Sequence, residues 1–166
     1  MRRITEIQKL GNNRFIIILM GGIYLPVILL IASNLVGENA NNEDFYAMIF
    51  TIIVMALTFL YIFKMNSVVE ISADGLGFKE FPFSRNLRFI PIEEVASLII
   101  ADHKWWHGYG YRNSFSGGGR IYAMTPGKVL KLVTKSGKKY QFGINRRKLV
   151  KRFIEEEWPN TPFHVE

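Results

Sequence analysis

The chain has 166 residues, no cysteine and a formal net charge of +7. Without cysteine, the chain has no disulfides, no thiolate catalysis and no cysteine-bound metal. A chain of this length ordinarily forms one domain, but its apolar residues are concentrated in the first third. The positive charge lies mainly in residues 64–166, which hold 17 lysines and arginines against 10 aspartates and glutamates.

Two long apolar runs precede the basic region. Residues 15–36 contain no charged residue, and neither do residues 45–63. As helices these runs would be about 33 and about 28 Å long, close to the ~30 Å hydrocarbon core of a bilayer. A soluble protein of this size could not bury two such helices on all sides. The sequence therefore predicts two transmembrane helices joined by a short loop, residues 37–44.

The charges around these runs predict their orientation. Residues 1–14 form a basic N-terminal segment and Lys64 follows the second run, whereas the loop holds three acids and no cation. Cations accumulate on the cytoplasmic side of membrane spans. We therefore expect a multi-pass protein of the cytoplasmic membrane with both termini in the cytoplasm. The four cations of the N-terminal segment are Arg2, Arg3, Lys9 and Arg14.

The first run is interrupted by Gly21, Gly22 and Pro26. Small residues allow a neighbouring helix to approach closely, and proline introduces a kink. We expect these residues to pack against the second span. A different hypothesis is that the spans bind other membrane helices, as in an accessory or immunity-type subunit of a larger complex. Transport is disfavoured because neither run contains an ionisable residue.

The sequence after the spans alternates with a period of two, which is typical of strands. Residues 67–81 predict a hairpin, and "RFIPI" and "VASLIIA" predict two further strands. A second hairpin is predicted around Ser136-Gly137. Its inward faces are expected to carry Leu130, Leu132 and Thr134 on one strand and Tyr140, Phe142 and Ile144 on the other.

The periodicity then changes to that of a helix. Asn145 is a favourable N-cap residue, and the apolar residues that follow have helical spacing. This amphipathic helix is expected to close one end of the sheet, and residues 159–166 are expected to form a tail. The apolar stripe comprises Leu149, Val150, Phe153, Ile154 and Trp158.

Four segments together resemble the bacterial pleckstrin-homology-like (PH-like) domains of small membrane proteins. They are "IPIEEVASL", "GYGYR" at 108–112, "GGGRIYAMTPGKVLKLVTKSGKKYQFGI" and the helix from Arg146. The resemblance covers residues 67–158, with the two spans as context. It implies an α+β domain of about seven antiparallel strands, arranged as a sandwich or partly open barrel that the C-terminal helix closes. No activity follows from it.

The stretch "HKWWHGYGYRNSFSGGGR" at 103–120 contains residue types that occur in several kinds of site. In a strand His103 and His107 would lie about 13 Å apart, too far to bind one metal ion. The stretch also lacks a phosphate-loop or serine-hydrolase motif. We interpret 104–112 and 120–124 as strands. Lys104, Trp106 and Arg112 then form a candidate binding surface, although simple packing explains the same residues.

A second group of cations surrounds the start of the predicted helix. The group comprises Lys138, Lys139, Arg146, Arg147 and Lys148. Cations at a helix N-terminus oppose the macrodipole, so local helix stability does not explain their position. Such a cluster could bind an anionic bilayer or an acidic partner, and an ordinary solvated face is the alternative.

These observations predict a protein without catalytic activity, cofactor or metal. We expect a membrane-anchored binding module that engages a protein partner or a second copy of the chain, in addition to the surrounding membrane lipids. Recognition of anionic lipid head groups by the basic surface is the main alternative. Nucleic acid is disfavoured because proximity to an anionic membrane already accounts for a basic surface.

Overall fold

A computed structural model describes residues 2–36, 42–103, 109–113 and 119–166. In these ranges the chain forms three α-helices and ten strands in two sheets. The helices are α1 (Arg14–Val36), α2 (Asn42–Lys64) and α3 (Arg147–Glu157). The strands are β1 (Arg3–Lys9), β2 (Asn66–Ser72), β3 (Gly75–Phe81), β4 (Arg88–Pro91), β5 (Val95–Asp102), β6 (Gly110–Asn113), β7 (Arg120–Ala123), β8 (Lys128–Thr134), β9 (Lys139–Ile144) and β10 (Phe163–Val165).

Helices α1 and α2 are long and apolar enough to cross a membrane. Their large apolar side chains point outward, with Leu30 65% and Phe50 69% exposed. This confirms the prediction of two long apolar helices in the first third of the chain. Their bounds differ slightly from the predicted ones: α1 begins at Arg14, and α2 begins at Asn42, inside the predicted loop 37–44.

The first sheet, sheet A, has the order β1-β2-β3-β4, with antiparallel neighbours. Strand β1 pairs with β2 over its whole length, from Arg3 opposite Ser72 to Lys9 opposite Asn66. Because β1 precedes α1 and β2 follows α2, the helical hairpin is an insertion between two adjacent strands. We call the end of sheet A at Lys9, Asn66 and Phe81 the helix end, and the opposite end the far end.

Strand β1 lies inside what was predicted to be only a basic segment, residues 1–14. Its partner follows both long helices in the sequence, so no local pattern could reveal the pairing. Strand β10 likewise lies within the predicted tail, 159–166, where it pairs with β5 in parallel. The β domain thus extends beyond the predicted range 67–158 at both ends.

The second sheet, sheet B, has the order β10-β5-β8-β9-β7-β6. Its β7–β9 and β5–β10 pairs are parallel, and its other pairs are antiparallel. The expectation of about seven antiparallel strands is therefore corrected to ten strands with two parallel pairs in the described ranges. Both predicted hairpins are present, as β2–β3 and β8–β9.

The core lies between the two sheets and α3. Its centre is an aromatic group in which the Phe78 ring lies 5.0 Å from Tyr122 and 5.1 Å from Phe142, centroid to centroid. The inward-facing residues predicted for the β8–β9 hairpin are buried, except that Tyr140 is half-buried. Helix α3 adds four of its five predicted apolar residues, namely Val150, Phe153, Ile154 and Trp158.

Two details of α3 differ from the sequence-based expectation. Leu149 was expected on the buried stripe, but it is 38% exposed. Asn145 was expected to cap the helix, yet the N-cap position is Arg146, which makes no side-chain capping bond. The Asn145 amide instead donates to the Ile7 carbonyl and accepts from Gln8, both in β1. The Asn145 side chain therefore bonds to β1 and does not cap α3.

Candidate functional site

The junction between the helical hairpin and the sheets contains almost no linker. A single turn of 3₁₀ helix, Leu10–Asn12, connects β1 to Asn13 and α1, and Met65 alone separates α2 from β2. The Leu10 N–H donates to the Met65 carbonyl at 3.0 Å, which ties the two connections together. A longer flexible linker would allow the domain to rotate about the helices, and this junction does not.

Asn13 fixes the start of α1 against sheet B. Its side chain is fully buried and donates to the Met124 carbonyl, with 3.1 Å between nitrogen and oxygen. Its Oδ1 accepts the backbone N–H of Phe15, also at 3.1 Å. Asn13 thus satisfies one of the free N–H groups at the N-terminus of α1 and joins this helix to the segment after β7.

Apolar residues from both helices and both sheets fill the space around Asn13. The Phe15 ring of α1 contacts Tyr109, with centroids 6.3 Å apart, and Tyr109 contacts the His103 ring at 5.4 Å. A Cβ on Gly11 would lie 2.8 Å from the Phe63 ring, so only glycine fits there. The remaining residues of this junction cluster are Leu10, Ile16, Ile62, Met65 and Met124.

Two polar residues of β1 that face the interior bind the other sheet. Gln8 Oε1 accepts the Met124 N–H at 2.9 Å, and Gln8 Nε2 donates to Asn145 Oδ1 at 3.0 Å. The approach requires glycine at position 143, where a Cβ would lie 2.0 Å from Gln8 Oε1. Buried polar groups are costly unless they are paired. These bonds therefore hold β1 in a specific position.

Glu6 makes the second of these connections. Its carboxylate is buried and accepts the Asn145 N–H at 3.0 Å and Arg146 Nε at 2.9 Å. The Arg146 guanidinium also donates to the Thr5 carbonyl. Arg146 was predicted as a binding residue for an external anion, but its partner is a carboxylate of its own chain. Its observed role is to attach the start of α3 to β1.

Glu80 lies near the helix end of the interior without such a partner. It faces inward on β3, opposite Ser67 of β2, and it is 1% exposed. Neither carboxylate oxygen has a hydrogen-bond partner within the described residues. Burial raises the pKa of this carboxyl above its usual value, and the charges of Arg88 and Arg120 oppose the shift. Burial therefore disfavours the ionised form of Glu80.

The five cations predicted to form one cluster lie in two separate places. Lys138 and Lys139 are exposed at the β8–β9 turn, whereas Arg146, Arg147 and Lys148 follow the other end of β9. Five residues of strand separate Lys139 from Ile144, which is about 17 Å. The prediction of a single cluster is wrong because the strand between the two groups is fully extended.

Several cations at and near α3 are also neutralised within the chain. Glu156 pairs with Arg152 and with Arg2, and these hydrogen bonds lower the pKa of its carboxyl. Lys151 pairs with Glu155. Near Arg147, Asp102 accepts a hydrogen bond from Lys128, the main cause of its lowered pKa, and the Arg147 charge adds a smaller contribution. These pairs reduce the charge available to an external anion.

The cations of the N-terminal segment are likewise divided. Arg3 lies at the far end of β1 and pairs with Glu70, six residues or about 20 Å from Lys9. Only the remaining cations flank the helices at the junction, and these are Lys9, Arg14 and Lys64. The expectation that the whole N-terminal segment flanks the first span is therefore corrected.

The three residues predicted to pack α1 against α2 do not do so. Gly21, Gly22 and Pro26 are exposed. A Cβ built on Gly21 or Gly22 would meet no atom within 4 Å. Among the described residues, α2 does not make the close approach to these glycines that the prediction required. This face of α1 is exposed.

The aromatic stretch is described only in part. Lys104 and Trp106 lie outside the described residues, as does the side chain of Arg112, whose backbone belongs to β6. The predicted strand from Arg120 is present as β7. His103 is buried at the junction, whereas His164 lies in β10, far along the chain. In the described ranges no three metal-binding side chains come together.

A groove of about 460 Å³ opens at the far end of the molecule. Its lining includes Val95 and Ala96 together with two charged residues, Glu93 and Lys135. The Ile92 N–H donates to the Asp74 carbonyl at 2.9 Å, which places the groove beside the far-end turn of β2–β3. The other lining residues are Ile92, Asn160, Thr161 and Pro162.

Sequence reasoning missed the residues that build the junction, above all Glu6, Gln8, Asn13 and Glu80. Ile4 and Ile7 of β1 point to opposite faces, so the apolar alternation of a strand is absent there. Asn13, two residues before the apolar run that begins at Phe15, was the one available signal, since asparagine is a preferred N-cap. The chain matches no protein-family model and no curated protein sequence.

Proposed function

We propose that this protein is a non-catalytic binding module anchored in the cytoplasmic membrane. Helices α1 and α2 span the bilayer, both termini and the β domain lie in the cytoplasm, and the β domain engages a protein partner. The observation that carries the proposal is the insertion of the helical hairpin between β1 and β2 with no flexible linker. Such an insertion fixes the orientation of the domain relative to the bilayer.

The charge at the junction supports this topology. Lys9, Arg14 and Lys64 lie where the helices leave the sheets, and Glu43 lies at the opposite end of α2. By the positive-inside rule the junction belongs to the cytoplasmic side. A reporter enzyme fused after Glu166 is expected to be active only in the cytoplasm, and one inserted between residues 37 and 41 only outside. The reverse pattern would refute this topology.

A PH-like architecture for the β domain is part of the proposal. Two sheets of four and six strands enclose one core. Helix α3 contributes three buried residues to it and Trp158 follows at the C-cap, which suits a helix that closes one end of a sandwich. The two parallel strand pairs depart from a simple antiparallel order. The fold by itself assigns no activity, so the binding role is argued from the surfaces of the domain.

The far-end groove is the surface that this orientation presents to the cytoplasm. It lies at the opposite end of sheet A from the junction, and its lining combines apolar residues with the charged Glu93 and Lys135. Apolar grooves with a few charged rim residues suit a peptide segment of a partner protein. Recognition of lipid head groups has less support. The predicted binding cations Lys138, Lys139 and Arg146–Lys148 lie in two separate places, and Arg146 pairs with a carboxylate of its own chain.

Photo-crosslinking in native membranes tests the partner. A photoreactive phenylalanine analogue at Asn160, in the groove, is expected to give an adduct of one defined mass. The same analogue at Lys148, an exposed position on α3 outside the groove, is the matched control and is expected to give none. If Asn160 gives no adduct while the topology reporters behave as expected, the protein-partner proposal is wrong. An adduct with twice the mass of the chain would identify a second copy.

A further inference from the structure

The loop that connects β3 to β4 lies beside the junction. Phe81, the last residue of β3, is in register with Asn66, which is only two residues beyond the end of α2 at Lys64. Paired residues on adjacent strands have Cα atoms about 5 Å apart. Strand β4 begins at Arg88, opposite Phe78, so the loop between Phe81 and Arg88 projects from the helix end of sheet A.

This loop groups three exposed large apolar side chains within seven residues at the helix end of sheet A. Phe81 is 40% exposed, Phe83 54% and Leu87 43%. The loop is a compact turn rather than an extended one, since the Ser84 N–H donates to the Glu80 carbonyl and the Ser84 hydroxyl donates to the Asn86 carbonyl. Two exposed cations, Arg85 and Arg88, accompany these apolar residues.

We infer that the β3–β4 loop, residues 81–88, enters the interfacial layer of the same bilayer that α1 and α2 span, and that its ligand is an anionic lipid surface. The inference rests on the proposed membrane setting and adds a third point of contact to the two helices. Phe81, Phe83 and Leu87 would enter the layer between head groups and acyl chains, and Arg85 and Arg88 would face the lipid phosphates.

Position and charge favour a lipid surface over a protein partner. The loop is continuous with the end of α2 through the Asn66–Phe81 pairing, so the bilayer that holds α2 lies next to it. On the other side of the junction Tyr109 contacts Phe15 of α1, which places another aromatic ring at this level. Aromatic residues are enriched at membrane interfaces, and arginines near an anionic leaflet are attracted to it.

The absence of cysteine from the chain allows a direct measurement. The full-length protein is labelled with a nitroxide at Asn86→Cys, inside the loop, and at Asp74→Cys, an exposed position in the β2–β3 turn at the far end of sheet A. Both are placed in nanodiscs of equimolar phosphatidylglycerol and phosphatidylcholine. Power saturation then compares collisions with oxygen, which partitions into lipid, and with a water-soluble nickel complex.

We expect the Asn86 label to collide more often with oxygen than with nickel, and the Asp74 label to show the reverse. A third label at Val54→Cys, in the middle of α2, reports on the spans. If Val54 gives the lipid pattern and Asn86 gives the aqueous one, the loop inference is wrong while the membrane anchor stands. If Val54 also gives the aqueous pattern, the proposed membrane setting fails with it.

A variant tests the side chains themselves. Phe83→Ser combined with Leu87→Ser in the Asn86→Cys protein is expected to move the label to the aqueous pattern. Phe89→Ser is the matched control, because Phe89 is similarly exposed but lies further from the helix end, within β4. An unchanged lipid pattern in the double variant would overturn the assigned role of these apolar residues.

Discussion

The helical hairpin and the β domain place their apolar residues in opposite directions. In α1 and α2 residues such as Leu30 and Phe50 are more than half exposed, whereas Ile71 and Leu98 in the two sheets are completely buried. A helix that is apolar on all sides suits an apolar solvent. The two long helices thus expose the kind of side chain that the sheets bury, and they are long and apolar enough to cross a membrane.

The two regions also differ in how they use polar groups. Helices α1 and α2 bury no charged side chain in the described ranges, while the domain interior near the helix end holds Glu6, Gln8 and Glu80. Glu6 and Gln8 belong to β1, which the sequence places on the other side of the hairpin from the rest of the domain. The β domain thus includes a strand that precedes both long helices in the sequence.

The largest expected effect comes from removing the hairpin while keeping β1. Because Lys9 and Asn66 are paired, an Asn-Gly turn in place of residues 10–65 would join β1 to β2 as an ordinary hairpin. We expect a soluble protein with a mainly β circular-dichroism spectrum. A fragment of residues 66–166 lacks β1 and leaves the edge of β2 and the core beneath it uncovered, so it is expected to be insoluble or unfolded.

Equal stability of these two proteins would contradict this expectation. If residues 66–166 fold as well as the version with β1, then β1 is an accessory of the domain rather than part of it. Urea denaturation distinguishes the cases, since the loss of a buried strand lowers both the midpoint and the slope of the transition.

A smaller effect is expected from Gln8→Ala in the full-length protein. The change leaves the buried Met124 N–H without its acceptor and removes the bond to Asn145. An unsatisfied buried group costs about 1–3 kcal/mol, so the free energy of unfolding should fall by about 2 kcal/mol. Ile7→Thr is the control on the exposed face of the same strand. A loss as large for Ile7→Thr would show that β1 tolerates no change on either face.

The buried Glu80 predicts a pH dependence. Burial raises its pKa in the folded state, so the folded protein binds more protons than the unfolded chain from about pH 4.5 up to that raised pKa. Stability contributed by the neutral acid is therefore lost as pH rises through this window. Glu80→Gln, which stays neutral, should flatten the dependence, measured as thermal midpoints from pH 4.5 to neutrality.

The exposed Glu93→Gln is the control for Glu80, because its carboxyl lies on the surface. It should retain the full pH dependence of the unchanged protein. A steeper fall in stability with pH after Glu80→Gln would contradict the assignment of the buried carboxyl. We expect this effect to be smaller than that of Gln8→Ala, since Arg88 and Arg120 already offset part of the burial cost.

The smallest effect is expected from Gly22→Leu. A Cβ at this position meets nothing within 4 Å, so the larger side chain should face lipid and leave the thermal midpoint unchanged. Loss of binding to a partner with the midpoint unchanged would instead favour the hypothesis that α1 contacts another membrane helix. A lower midpoint would mean that Gly22 packs inside the chain after all.

The predictions that held are those that depend on local pattern. Residues 15–36 and 45–63 contain no charged residue, and Leu130, Leu132 and Thr134 lie at alternate positions of one strand. Each of these segments carries its own signal, because the period of a helix or strand determines which side chains share a face. The helix from Arg147 was predicted for the same reason, through Val150, Phe153 and Ile154.

The predictions that failed required knowledge of distant neighbours. The cations Lys139 and Arg146 are close in sequence but lie at opposite ends of an extended strand. Asn145 is a residue type that commonly caps helices, yet its side chain donates to the Ile7 carbonyl of β1. Gly21 and Gly22 are small, as close helix packing requires, but a Cβ built on either would meet no atom of α2 within 4 Å. Local chemistry permits several partners, and the tertiary structure selects one.

The sequence by itself determined the long apolar helices, the two hairpins and the amphipathic helix, because each is a repeat of apolar side chains within one segment. Only the tertiary structure decided that β1 pairs across the helical hairpin and that Glu6 and Gln8 are buried. It also decided that the β3–β4 loop lies beside the end of α2. The first two features arise from contacts between segments separated by both long helices, where closing the loop is favourable only once the two sheets have packed. The third follows from the pairing of β2 with β3, which places Phe81 opposite Asn66.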